Sequence, residues 1–119
     1  MITATFFCTI LAVTDADTFK VRCPIWPGII IEESIRVRGV DAPESTARAD
    51  CPQETELGQK AKEFAHILKE ISITNISPDK YNRFVADVYV NNKKWADILI
   101  KNGFGVAYDG GTKSKPWCK

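Results

Sequence analysis

Residues 3–40 read TATFFCTILAVTDADTFKVRCPIWPGIIIEESIRVRGV. Thr3–Val13 and Thr18–Cys23 are dense in β-branched and aromatic side chains, and the four polar residues between them are short enough for a hairpin turn. Pro24–Gly28 (PIWPG) is a second turn. Ile29–Val40 resumes strand character, with Glu32-Glu33-Ser34 read as a further turn or a bulge. Asp41-Ala42-Pro43 then ends the run, because a residue before proline is pushed away from the helical region. Three strands in immediate succession are the first half of the pattern.

The second half follows from residues 45–53, read as a loop. Leu57, Ala61, Phe64, Ala65 and Leu68 recur at helical spacing, with Pro52 placed near the first turn. Ile71–Ile76 is a short strand, Ser77-Pro78-Asp79 a turn, and Arg83–Val90 another strand. Asn91-Asn92 is a tight turn or an N-cap. Trp95, Ile98 and Leu99 line a second helix that stops at Gly103, and Phe104–Tyr108 adds a short extended piece. The order is three strands, helix, two strands, helix, which excludes a doubly wound parallel sheet. It fits a mainly β fold, a five-stranded OB-fold barrel with two α-helices. One domain is expected over residues 1–119, with 109–119 as a short basic tail.

Composition agrees with a globular domain. Apolar residues make up 45% and charged residues 26% of 119 residues, the ordinary mixture rather than a disordered or fibrous one. No apolar run approaches the about 20 residues of a membrane span, so no membrane partner is expected, and the chain is expected to be a monomer. The net charge of +1 hides an asymmetry: residues 1–56 carry nine acids and five bases, residues 57–119 eleven bases and six acids. An acidic site beside a basic surface suits a cation together with an anionic polymer. Met1 leads into the first strand without a basic n-region. The compartment is left open on this reading, cytoplasmic unless a leader was removed, with a secreted or periplasmic location as the alternative.

The four cysteines show no C-x-x-C spacing, which disfavours a zinc knuckle or a redox motif. Cys8 reads as a core residue between Phe6 and Ile10. Free thiols are the baseline where no export signal is visible. The alternative is a disulfide between Cys51 and Cys118, which would tie the tail to a loop.

Three segments carry the chemistry: Asp15-Ala16-Asp17-Thr18, Arg36-Val37-Arg38-Gly39-Val40-Asp41-Ala42-Pro43-Glu44, and Lys80-Tyr81-Asn82-Arg83. Hard cations such as Ca²⁺ take carboxylate, carbonyl and water oxygens. Asp17, Asp41 and the carbonyl of Ala42 could supply such a set, with Glu44 holding a water. Phosphoryl chemistry needs positive charge on the equatorial oxygens, and planar guanidinium groups supply it in bidentate form. Arg36 and Arg83 are the candidates. Each segment alone is an ordinary turn or strand exit; their combination in this order is specific.

Together they resemble the staphylococcal nuclease (thermonuclease) family. Residues 13–21, V-T-D-A-D-T-F-K-V, resemble the family's V-x-D-G-D-T-x-x-V. Residues 35–45, I-R-V-R-G-V-D-A-P-E-S, resemble its R-L-x-G-I-D-x-P-E. Residues 58–65, G-Q-K-A-K-E-F-A, resemble its first helix, and 80–90, K-Y-N-R-F-V-A-D-V-Y-V, its D-x-Y-G-R-x-L-A-x-V. The likeness spans roughly residues 3–108. It implies a Ca²⁺-dependent nuclease acting on DNA and RNA, single-stranded or frayed, and releasing 3′-phosphates. By that resemblance Asp17, Asp41 and the Ala42 carbonyl are metal ligands, Glu44 is the catalytic glutamate (joined to the metal through water), and Arg36 and Arg83 are the catalytic arginines. Lys80, Tyr81 and Tyr108 match positions that contact the bound nucleotide. Ala16 and Asn82 stand where the family has glycine, and the prototype's long C-terminal helix has no counterpart. A nucleic-acid-binding module of the same fold, with weak or no catalysis, is the alternative.

Overall fold

The computed structural model describes residues 2–81 and 83–118. Its strands are β1 (Phe6–Asp15), β2 (Thr18–Trp26), β3 (Ile29–Val37), β4 (Val40–Asp41), β5 (Glu70–Pro78), β6 (Phe84–Val90), β7 (Lys93–Lys94) and β8 (Val106–Ala107). The helices are α1 (Pro52–Ala65) and α2 (Trp95–Lys101), followed by a 3₁₀ turn at Pro116–Cys118. Strands run in the order β3-β2-β1-β5-β6. A parallel pairing of β3 with β6, from Ile35 opposite Phe84 to Val37 opposite Ala86, closes the ring. The result is the expected five-stranded barrel with two helices; β4 and β8 form a separate two-stranded sheet. No described helix is long and apolar enough to cross a membrane.

The core follows from strand alternation. Val13, Phe19, Val21, Ile35, Val37, Ile71, Ile73, Ala86 and Val88 point inward, and Trp95 and Leu99 of α2 close one end. The Asn91-Asn92 pair takes positive φ at both positions, 51° and 66°, which asparagine tolerates and a two-residue hairpin requires. Gly39, at φ 92°, makes the sharp turn from β3 into β4.

Three expectations are corrected. No turn or bulge occurs at Glu32-Glu33-Ser34: β3 pairs with β2 in unbroken register there. Glu32 lies directly opposite Arg22, and the two form an ion pair at 2.6 Å, so Glu32 sits on the exposed ladder face, while Glu33 faces the other side, half-buried opposite Val21. The cysteines are not free thiols: Cys8 is bonded to Cys23, and Cys51 to Cys118. The β1–β2 register sets Thr9 opposite Arg22, which makes Cys8 and Cys23 cross-strand neighbours with Cα atoms 4.3 Å apart. The third correction concerns α1. Its buried stripe is Glu54, Gly58, Ala61 and Ala65. Leu57 is only half-buried, and Leu68, although buried, lies past the helix end.

Gly58 explains that shift of face. A Cβ built there would collide with the backbone of Glu44 and reach Ser45 N at 2.8 Å. The helix therefore presses on the loop after β4 at a distance only glycine allows. Gly58→Ala is expected to cost about 1–3 kcal/mol through overpacking, measured as a lower denaturant midpoint at unchanged slope.

Candidate active site

The D-A-D-T turn between β1 and β2 places two carboxylates on one side of the barrel. Asp15 and Asp17 are both buried, and they do different work. Asp15 Oδ1 accepts from the backbone N–H and the hydroxyl of Ser45, at 2.9 and 2.6 Å. It fixes the start of the loop after Pro43. Asp17 Oδ2 accepts from the Ala42 N–H at 2.9 Å and pairs with Arg36 Nη1, while Oδ1 accepts from the Thr18 hydroxyl at 3.1 Å. Ala16 between them is fully buried and has no positive φ. Its methyl is accommodated without backbone strain. Trp95 Nε1 donates to the Ala16 carbonyl at 2.7 Å, pinning the turn to α2.

β3 and β4 deliver the second segment. Arg36 is buried, with Nη2 3.6 Å from Asp41 Oδ1. Arg38, two residues on, turns away: it bonds Asp87 at 3.1 Å and Ser77 at 2.9 Å and braces β6 against β5. Asp41 is almost fully enclosed, and burial drives its pKa up. Glu44 sits beside it, with its pKa raised first by burial and then by the charge of Asp15.

The loop carrying Glu44 is held from below by Glu54 of α1. Glu54 has no exposed surface, and it accepts from Glu44 N at 2.9 Å, Asp50 N at 2.7 Å and Lys115 Nζ at 2.7 Å. Burial alone would raise its pKa, but those three donors hold it below the ordinary 4.5.

The third segment follows β5. Asp79 receives Tyr81 N and Arg83 N through Oδ1 and Arg83 Nε through Oδ2 at 2.5 Å, a local loop that aims Arg83. Tyr81 is two-thirds exposed, with Lys80 and Arg83 against its ring at 5.4 and 5.5 Å. Tyr108 follows β8, and Arg36 lies 5.7 Å from its ring centre. Asn82 lies outside the described residues.

Asp17, Arg36, Glu44, Lys80, Tyr81, Arg83 and Tyr108 all line one cleft of about 1,020 Å³. Asp41 lines the adjoining pocket, which shares Gly39, Tyr108 and Asp109 with that cleft. A family model described as staphylococcal nuclease homologue matches residues 34–116. The chain belongs to that family.

Membership sharpens the fit of a cation to these residues. Among the described residues, no three His, Cys, Asp or Glu side chains form a ready-made cage, and Asp17 is engaged by Arg36, Ala42 and Thr18. Both oxygens of Asp41 and Oε2 of Glu44 are buried without an aligned hydrogen bond. Asp41 Oδ1 and Glu44 Oε2 are met by charge alone, from Lys113 at 3.2 Å and Arg48 at 3.5 Å, and hard carboxylate oxygens are what Ca²⁺ takes. The donor set therefore fits the metal that the family's chemistry calls for.

Residues outside the sequence assignment complete the site. Arg48 lies 3.4 Å from Asp15 and 3.5 Å from Glu44, and Lys113 of the tail lies 3.2 Å from Asp41. Asp15 was legible in principle, since it shares the D-x-D period-2 spacing with Asp17. Nothing local in the sequence marks Arg48 or Lys113.

Proposed function

We propose that the chain is a Ca²⁺-dependent nuclease that hydrolyses phosphodiester bonds of DNA and RNA and leaves 3′-phosphates. The observation that supports this reading is the set of buried charged atoms at the cleft that lack an aligned hydrogen bond: both Asp41 oxygens, Glu44 Oε2 and both terminal nitrogens of Arg36, the last two paired by charge with Asp17 and Asp41. Acceptors for a cation and donors for a phosphate stand side by side there. Asp17, Asp41 and the Ala42 carbonyl would hold Ca²⁺, with Glu44 joined through water, and the ion would supply Lewis-acid charge to the phosphate oxygens.

The remaining work falls to the chain's own groups. Glu44 Oε2 orients the attacking water or takes its proton, and burial, by raising its pKa, makes it a stronger proton acceptor. Arg36 and Arg83 place guanidinium charge on the equatorial oxygens as the water oxygen bonds to phosphorus and the bond to the 5′ oxygen breaks. Lys80 supplies a point charge for the flanking phosphate. Tyr81 and Tyr108 offer ring faces to bases, a contact indifferent to sequence.

The test is degradation of single-stranded DNA and RNA by the wild type and Glu44→Gln, with millimolar Ca²⁺ or with chelator. Cleavage that needs Ca²⁺, leaves 3′-phosphate ends and is lost in Glu44→Gln is the expected result. Retained binding without cleavage under either condition would point instead to a binding module.

A further inference from the structure

The tail after β8 does not trail into solvent. It is fastened at three points. Tyr108 Oη donates to the Gly111 carbonyl at 2.7 Å. Lys115 Nζ meets the enclosed Glu54 at 2.7 Å, which raises the lysine's pKa despite its burial. Cys118 is bonded to Cys51, the N-cap residue of α1. Between the first fastening and the other two lies Lys113. Its ammonium stands 3.2 Å from Asp41 Oδ1 and 3.7 Å from Glu44 Oε1, and 5.9 Å from the Tyr108 ring centre. The side chain is one-third exposed, so its stem reaches the carboxylates from the open side.

We infer that Lys113 is a tethered competitor for the divalent-cation position, and that the Cys51–Cys118 bridge keeps it there. The inference rests on the cation site proposed above. An ammonium and a divalent ion cannot both sit against the Asp41 and Glu44 oxygens, because each would repel the other across a few ångströms of poorly solvated space. A group on a short segment tethered at both ends acts at a high effective concentration. Lys113 lies on the stretch between Tyr108, which follows β8, and Cys118, which the bridge fastens to Cys51, so cutting the bridge lowers that concentration without altering a carboxylate. Metal affinity is thereby coupled to the position of one lysine, and the coupling is reciprocal.

The experiment is calorimetric titration of the metal-free protein with Ca²⁺ alone, at fixed ionic strength and without nucleic acid. The proteins are the wild type, Lys113→Met, Lys113→Arg, and Cys51→Ala/Cys118→Ala with and without Lys113→Met. Lys113→Met is expected to bind Ca²⁺ roughly tenfold more tightly, and Lys113→Arg, which keeps the charge, to stay near the wild type. The bridge-free protein should shift the same way, and adding Lys113→Met to it should give less than the additive gain. If the bridge-free protein fails to fold, the two Lys113 variants still decide. Equal or weaker Ca²⁺ binding by Lys113→Met overturns the inference while leaving the cation site standing. No Ca²⁺ heat in any variant overturns the cation site and the inference with it.

Discussion

On the proposed function, Arg36→Lys is expected to lower kcat on an oligonucleotide by about three orders of magnitude, with little change in KM. The expectation comes from what the guanidinium faces. Arg36 is buried between Asp17 and Asp41, and neither of its terminal nitrogens has an aligned hydrogen bond. Its fork is therefore held between the two carboxylates by charge rather than by aligned hydrogen bonds. A transition-state arginine in phosphoryl transfer is worth roughly 10³–10⁵ in rate, and a lysine keeps the charge without the planar two-pronged donor. Lysine is the informative replacement. Alanine would remove the positive charge between two enclosed carboxylates and confound catalysis with folding. Single-turnover cleavage measured alongside thermal melting separates the two effects. Wild-type kcat in a folded Arg36→Lys would remove the guanidinium from the reaction.

Glu54→Ala is expected to cost about 3–5 kcal/mol, the usual penalty for removing one member of a buried ion pair. Glu54 joins three parts of the molecule: the Glu44 loop, the start of α1 at Asp50 and the tail through Lys115. Its loss strands the Glu44 and Asp50 amides and the ammonium together. Urea titration reads the stability, and a destabilisation below 1 kcal/mol would refute the role. The same group predicts a pH response. Its pKa is depressed in the folded state, so its contribution is present above the unfolded value and disappears as pH falls below 4.5 and through the lower folded value. The wild type should thus lose melting temperature on acidification through that range, and Glu54→Ala should lose less. Lys115, raised above its ordinary 10.5, keeps its share below that value and loses it as pH climbs past the folded one.

The barrel was legible because strand alternation and turn residues are local signals. Thr18–Cys23, Arg83–Val90 and the Asn91-Asn92 turn each stand within a residue or a few of their observed bounds. The candidate-site segments were legible for a related reason: each packs its charged groups into fewer than ten consecutive residues. What escaped were pairings made through space. Cys8 and Cys23 become neighbours only once the β1–β2 register is known. Glu54 looks like an ordinary first-turn acid, and its enclosure depends on Gly58 bringing α1 onto the Glu44 loop. Lys113 sits 69 residues from Glu44 in the chain, in a tail whose sequence offers a cysteine to tie it down but nothing that aims this lysine at the carboxylates.

The hydrogen bond from Trp95 to Ala16 gives the protein an optical handle. The indole is 1% exposed, stacked on Phe64 at 5.6 Å, and its N–H ends on the carbonyl between Asp15 and Asp17. Indole emission responds to the field at that nitrogen, so a change in charge or geometry at the carboxylate turn alters the light the core emits. Trp26, 70% exposed on the far hairpin, is open to an aqueous quencher that cannot reach Trp95. With Trp26 quenched and the third tryptophan, Trp117, replaced by phenylalanine, Trp95 is left as a spectroscopic probe of the turn, readable with no substrate in the cuvette.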